Sequence, residues 1–130
     1  MKQGFTLIEL LAVIVILSVI ALITVPIVSN TIENSKRDSF KRSVEEMKNM
    51  VDMDYNENAR SGAVTYQFSD NTLVCLKCDN NEDLELDFTG KVENAKGSIV
   101  NNNGKITLTI ENNKYKATNG SDDKVKIVKK

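Results

Sequence analysis

The chain has 130 residues, with 17 basic and 18 acidic side chains, no His, no Trp and a single Pro. Charge this close to balance excludes a global field that would draw the protein to nucleic acid or to an anionic membrane surface. The lack of His removes the commonest general base and the commonest metal ligand together. Apolar residues are 41% of the total but crowd into the first part of the chain. The rest must build a modest core, so one greasy and one polar part are expected.

The first element is Leu10–Val28, LLAVIVILSVIALITVPIV, which carries no charge. Its nineteen residues, at about 1.5 Å each, approach the roughly 30 Å of a bilayer core. Ser18 and Thr24 are placed to bond back to the helix's own carbonyls. Pro26, near the far end, kinks or loosens the helix. Lys2 ahead of the run is a positive-inside cue that leaves the C-terminal bulk outside the cytoplasm.

After Ser29 the composition turns polar while the helical period continues. Ile32, Phe40, Val44, Met47, Val51 and Tyr55 recur mostly at steps of three or four and define an apolar stripe. Pairs at i, i+4 such as Glu33 with Arg37 and Asp38 with Arg42 add a few tenths of a kcal/mol each. No Gly falls between Gly4 and Gly62, and no Pro follows Pro26. One helix is predicted from about Phe5 to Ala59, apolar in its first half and amphipathic in its second.

From Ala63 the period changes to alternation. AVTYQF, TLVCL and LELDF read as strands separated by Ser69-Asp70-Asn71 and Asp79-Asn80-Asn81. GSIV and KITLTI flank Asn103-Gly104, the strongest short hairpin signal. Asn112-Asn113 leads into KYKAT, and Asn119-Gly120-Ser121 precedes KVKIVK. These runs predict an antiparallel meander of about four to six strands, its apolar face covered by the helical stripe. The expected fold is α+β, with a leader at 1–4, an apolar helix at 5–28, an amphipathic helix at 29–60 and a sheet at 61–130.

Gly4-Phe5-Thr6-Leu7-Ile8-Glu9 stands directly before the apolar run. A carboxylate one turn into a membrane helix is unusual, since at the bilayer centre it costs about 2.5–3.5 kcal/mol without a partner. A cut after Gly4 would create an ammonium on Phe5, four residues before Glu9, and the two would neutralise each other within one chain or between neighbours. The helix dipole also favours an acid in the first turn. An ordinary secretory signal has a shorter apolar core and no acid at its head. A plain uncleaved anchor leaves both Gly4 and Glu9 unexplained.

These residues closely resemble the precursors of type IV pilins and pseudopilins: a short basic leader ending in Gly, then Phe-Thr-Leu-Ile-Glu, then an uninterrupted apolar helix. The resemblance covers about the first 26 residues; the sheet half matches only in layout. It implies that a membrane peptidase cuts between Gly4 and Phe5 and methylates the new amino group of Phe5. It implies that Glu9 docks an incoming subunit by meeting the terminal amine of its neighbour, and that Pro26 sits where many members loosen the helix. The partners implied are copies of the chain and other pilins, the prepilin peptidase and methylase, a membrane assembly platform and the cytoplasmic membrane before assembly.

Three other features carry less. Cys75-x-x-Cys78 lacks the βαβ setting of a redox motif, and two Cys without His cannot close a zinc site. Outside the cytoplasm the pair forms a tight disulfide or remains as two thiols. Asp79-x-Asn81-x-Asp83 opens like a calcium loop, but Leu84 stands where the turn Gly is needed and Gly90 where the bidentate Glu should be. Lys124, Lys126, Lys129 and Lys130 read as the outer face of an edge strand rather than a phosphate site, since no aromatic residues interleave.

The function expected is that of a filament subunit, a single-pass membrane protein with its C-terminus outside that moves into a cell-surface pilus. The alternative is a pseudopilin of a competence DNA-uptake or type II secretion-like machine, the one case in which nucleic acid would be a partner. No catalytic set, no cofactor and no metal is expected.

Overall fold

Thr6 and Glu9 start the first element by capping each other. Thr6 Oγ1 accepts the Glu9 N–H at 3.2 Å, and Glu9 Oε2 accepts the Thr6 N–H at 3.2 Å. This reciprocal box satisfies two of the donors that a helix start leaves open. From there helix α1 runs Leu7–Glu57, continuing through Pro26. The protein is described by a computed structural model covering residues 4–92, 94–120 and 123–130. The leader residues before Gly4, Lys2 among them, and Ser121 of the last turn signal lie outside the described residues. The chain forms two compact units, Met1–Lys36 and Arg37–Lys130.

Among the described residues no layer covers α1 in the first unit. Its large apolar side chains are bare, from 45% exposed at Val28 to 82% at Leu7. It is long and apolar enough to cross a membrane. Hydroxyls along it are satisfied internally: Ser18 Oγ donates to the Ile14 carbonyl at 2.8 Å, Thr24 Oγ1 to Ile20 at 2.7 Å and Thr31 Oγ1 to Ile27 at 3.0 Å. Such bonds remove a polar group from an apolar surrounding at no cost in exposed donors. Ile32 stays exposed in this unit, so the buried stripe begins at Phe40 rather than at Ile32.

In the second unit Phe40, Val44, Met47, Val51 and Tyr55 are each no more than 5% exposed. Burying side chains of this size contributes about 1.5–3 kcal/mol apiece, so the stripe is the main attachment of the helix to what it covers. The helix ends in a left-handed Ala59, with φ 47°. The Ala59 N–H bonds the Asn56 carbonyl at 3.2 Å and the Arg60 N–H bonds the Tyr55 carbonyl at 3.0 Å, the double closure of a Schellman cap.

The layer beneath is one antiparallel sheet. Its strands are β1 (Ala63–Ser69), β2 (Thr72–Asp79), β3 (Glu82–Leu86), β4 (Lys96–Asn102), β5 (Lys105–Glu111), β6 (Tyr115–Asn119) and β7 (Val125–Lys129). Among the described residues there are seven strands instead of four to six, because every alternating run pairs. The order β3-β2-β1-β4-β5-β6-β7 is also not a single meander. Strand β4 returns beside β1, so two hairpin stacks share a β1–β4 seam. The returning segment passes the first turn, where the Val92 N–H bonds Asn71 Oδ1 at 2.8 Å. Strand β3 ends at Leu86, two residues short of the expected Phe88. There the Phe88 N–H closes on the Leu86 carbonyl at 2.9 Å, and the Phe88 ring leaves the strand to meet Phe68 edge-on at 5.4 Å.

The turns explain the pairing. Asp70-Asn71, Asn80-Asn81 and Asn103-Gly104 each join strands paired up to the turn, and all six residues have positive φ. That is the twist-compatible geometry of a two-residue hairpin, which Asn, Asp and Gly tolerate best. Inward residues Tyr66, Phe68, Leu73, Cys75, Ile99, Leu108 and Ile110 are at most 2% exposed and form the core with the helix stripe. Gly97 lets β4 approach β5: a Cβ there would lie 2.0 Å from the Thr109 carbonyl oxygen and 2.8 Å from Ile110 Cα. Because the obstacles are backbone, Gly97→Ala is expected to destabilise the second unit by about 1–3 kcal/mol. Thermal unfolding of the detergent-held chain, followed by near-ultraviolet circular dichroism of its buried tyrosines, measures this.

Candidate functional site

The residues singled out in the sequence fall in two separate places. Gly4, Phe5, Glu9 and Pro26 belong to the first unit, and Cys75 and Cys78 to the second.

At the N-terminal place, Gly4 and Phe5 precede the helix. Among the described residues nothing lies within 4 Å of where a Gly4 Cβ would be, and Phe5 is 87% exposed. The peptide between them is therefore open to a partner. Glu9 is the lone acid in the first turn of α1. Its carboxylate is held by the Thr6 N–H, which fixes it on the helix end that carries the positive pole of the dipole. An extra ammonium at Phe5 would add positive charge at that same pole, and Glu9 is the acid in this first turn that could offset it. Pro26 lacks an N–H, so the Leu22 carbonyl loses its helical partner.

Residues 1–25 match the prokaryotic N-terminal methylation motif. The chain carries the type IV prepilin motif. The match takes in Gly4, Phe5, Glu9 and most of the apolar run, and it stops one residue before Pro26. No curated protein and no solved structure matches the chain. The prepilin motif, shared by type IV pilins and pseudopilins, thus stands on an apolar helix with the length of a membrane span.

A further cluster, in the second unit, was not singled out in the sequence. Asp54, on the helix face turned to the sheet, is 8% exposed. Its Oδ2 accepts the Tyr66 hydroxyl at 2.7 Å and Arg60 Nε at 2.8 Å, and its Oδ1 accepts Asn58 Nδ2 at 2.9 Å. Arg60 Nη1 goes on to the Cys78 carbonyl at 3.0 Å. The cluster therefore ties the end of α1 to β1 and to the segment around Cys78. The hydrogen bond to Asp54 raises the Arg60 pKa above its ordinary value, against the effect of burial, and keeps the guanidinium charged. Burial, reinforced by the bond to Asp54, pushes the Tyr66 phenol well above its ordinary 10.0. The sequence signal that could have found Asp54 was an acid on the apolar stripe, three residues after Val51 and next to Tyr55.

The sign of the Tyr66 shift gives a pH dependence. A phenol whose folded pKa is raised stabilises the fold fully below its ordinary value near 10.0. That contribution is lost as pH climbs through the raised value, at up to about 1.4 kcal/mol per pH unit. Stability of the second unit should therefore fall above pH 10, and Tyr66→Phe should remove this part of the fall. Thermal midpoints of the two proteins between pH 8 and 11 compare them.

Cys75 is buried in β2, and its sulfur is bonded to that of Cys78, with Cα atoms 5.6 Å apart. The bond spans the irregularity in β2–β3 pairing between Cys75 and Asp79, where Lys77 has φ 56°. Asp83 Oδ1 accepts the Lys77 N–H at 3.0 Å, so this acid of the Asp79-x-Asn81-x-Asp83 pattern braces the bulge. Among the described residues no group of three or more His, Cys, Asp or Glu could hold a metal ion.

Proposed function

We propose that the chain is the structural subunit of a type IV pilus or pilus-like filament. A prepilin peptidase cuts between Gly4 and Phe5, and the new Phe5 amine is methylated. The subunit waits in the cytoplasmic membrane through its 5–28 segment, with the sheet-bearing part outside. Assembly through a membrane platform then transfers that helix from lipid into a bundle of like helices. Glu9 sets the register by meeting the Phe5 amine of a neighbour.

The observation that carries this reading is an apolar helical stretch left bare from Leu7 to Val28, headed by one carboxylate and by the prepilin motif. About twenty exposed apolar residues would not tolerate water, and a bilayer or a helix bundle covers them equally well. The exposed Gly4–Phe5 peptide supports the cut, and the Thr6–Glu9 box supports a helix that keeps its first turn once the leader is gone.

The test is intact-mass and N-terminal analysis of the chain from membranes and from sheared surface material. A methylated Phe5 terminus in both fractions is the expected result. A chain still starting at Met1, in cells with an active prepilin peptidase, would leave only a plain membrane anchor.

A further inference from the structure

The two edges of the sheet carry opposite charge. On one side, the segment 79–87, DNNEDLELD, holds five acids and no base, and it contains edge strand β3. On the other, 124–130, KVKIVKK, holds four Lys and no acid, and it contains edge strand β7, with Lys116 on the adjacent β6. Glu82, Asp83, Glu85, Lys116, Lys126 and Lys129 are all exposed.

We propose that these edges dock on each other between copies of the chain, the acidic β3 edge of one subunit against the basic β6–β7 edge of the next. The proposal rests on the filament reading and adds to it a contact between the sheet-bearing parts.

Three observations carry it. First, an edge strand offers unpaired backbone groups, and charge on the edge is the usual protection against pairing. Edges of one sign would repel every copy of themselves. Edges of opposite sign repel only like edges, so β3 against β3 and β7 against β7 are disfavoured while β3 against β7 is attracted. Second, the pattern selects a head-to-tail contact, which propagates around a ring or along a helix instead of closing a two-fold dimer. A filament requires such a contact. Third, the two charged edges share a level. From Glu85 the register runs across the sheet through Gln67, Ser98 and Thr109 to Lys126. A copy displaced along that row brings its Lys126 towards Glu85 of its neighbour on the same face.

The contact can be tested on filaments of the full chain sheared from cells. Strands lie roughly 4.8 Å apart, so the five or six steps from β3 to β6 or β7 separate them by about 24–29 Å, too far for a zero-length link within one subunit. Carbodiimide coupling should therefore join β3 carboxylates to β6–β7 lysines only between copies, and peptide mass analysis identifies the joined residues. Glu82→Lys with Glu85→Lys, or Lys116→Glu with Lys126→Glu, should each reduce filament yield by about tenfold or more, and the four changes together should restore it to within about threefold. All variants should still carry Phe5 at their N-terminus in the membrane, since the changes are exposed and remote from the leader.

Filaments without β3 to β7 links, or single-edge reversals that assemble within about twofold of the unmodified chain, overturn this contact and leave the filament reading standing. An unmodified chain that keeps Met1 and never reaches the sheared fraction overturns the filament reading itself.

Discussion

Glu9→Gln is expected to leave the mature subunit at its normal level in the membrane while lowering filament recovery about a hundredfold. The amide oxygen of Gln can still accept the Thr6 N–H, and Glu and Gln serve equally at this position of a capping box. The helix start, held in the structure by two 3.2 Å bonds, therefore survives the change. What disappears is the negative charge. In a subunit cut as proposed, a single Phe5 ammonium near the membrane interface would reach water, so its loss of a partner would cost little there. In a bundle of apolar helices it cannot, and an uncompensated buried charge costs about 3–5 kcal/mol. Immunoblots of sheared and membrane fractions, with the N-terminus determined in each, separate assembly from processing. Filaments recovered within twofold of the unmodified chain would mean that Glu9 serves the helix end and not the docking of subunits. Glu9→Ala removes box and charge together, so the difference between the two variants isolates the capping contribution, about 0.5–2 kcal/mol.

The helix and the strands were legible because their signals are local. A run without Gly from Phe5 to Ser61 and the 3–4 spacing from Phe40 to Tyr55 specify one helix with one buried face. Pairs such as Asp70-Asn71 and Asn103-Gly104 specify hairpins through positive φ. The return of β4 beside β1 was not legible, since no local residue pattern encodes which of two hairpin stacks lies next to which. It depends on the segment leading to Ala95, whose anchor is a bond between the Val92 backbone and Asn71, far apart in sequence. Ile32 misled for a related reason: it keeps the helical period, but burial needs an opposing layer as well as a period.

The prepilin motif was legible because it concerns covalent processing and a membrane, both written into contiguous residues. The Asp54 cluster was not, because its members come from the helix stripe, the cap and β1, and only the folded chain brings Arg60 and Tyr66 onto one carboxylate. A charged residue on an apolar stripe reads as a defect of the pattern until its partners are known.

That cluster supplies the largest expected effect on folding. Asp54→Ala should destabilise the second unit by about 3–5 kcal/mol, because it strands a guanidinium whose side chain is only 12% exposed and a phenol that is fully buried. For a domain with a total stability of about 5–15 kcal/mol this is a large fraction. Tyr66→Phe removes one partner while leaving Asp54 with Arg60 and Asn58, and should cost only about 0.5–1.5 kcal/mol. The near-ultraviolet dichroism of Tyr55, Tyr66 and Tyr115, all buried, reports unfolding of this unit without interference from the membrane helix. A loss under about 1 kcal/mol for Asp54→Ala would show that Arg60 swings out to water and that the pair contributes little. Replacing both partners separates the two accounts further. If the penalty comes from an orphaned charge, Asp54→Leu combined with Arg60→Met should recover most of the stability lost by Asp54→Ala alone. If the penalty comes instead from the Arg60 bond to the Cys78 carbonyl, the double variant should be no better than the single one, and the cluster would act chiefly by holding the bulge of β2 against the end of the helix.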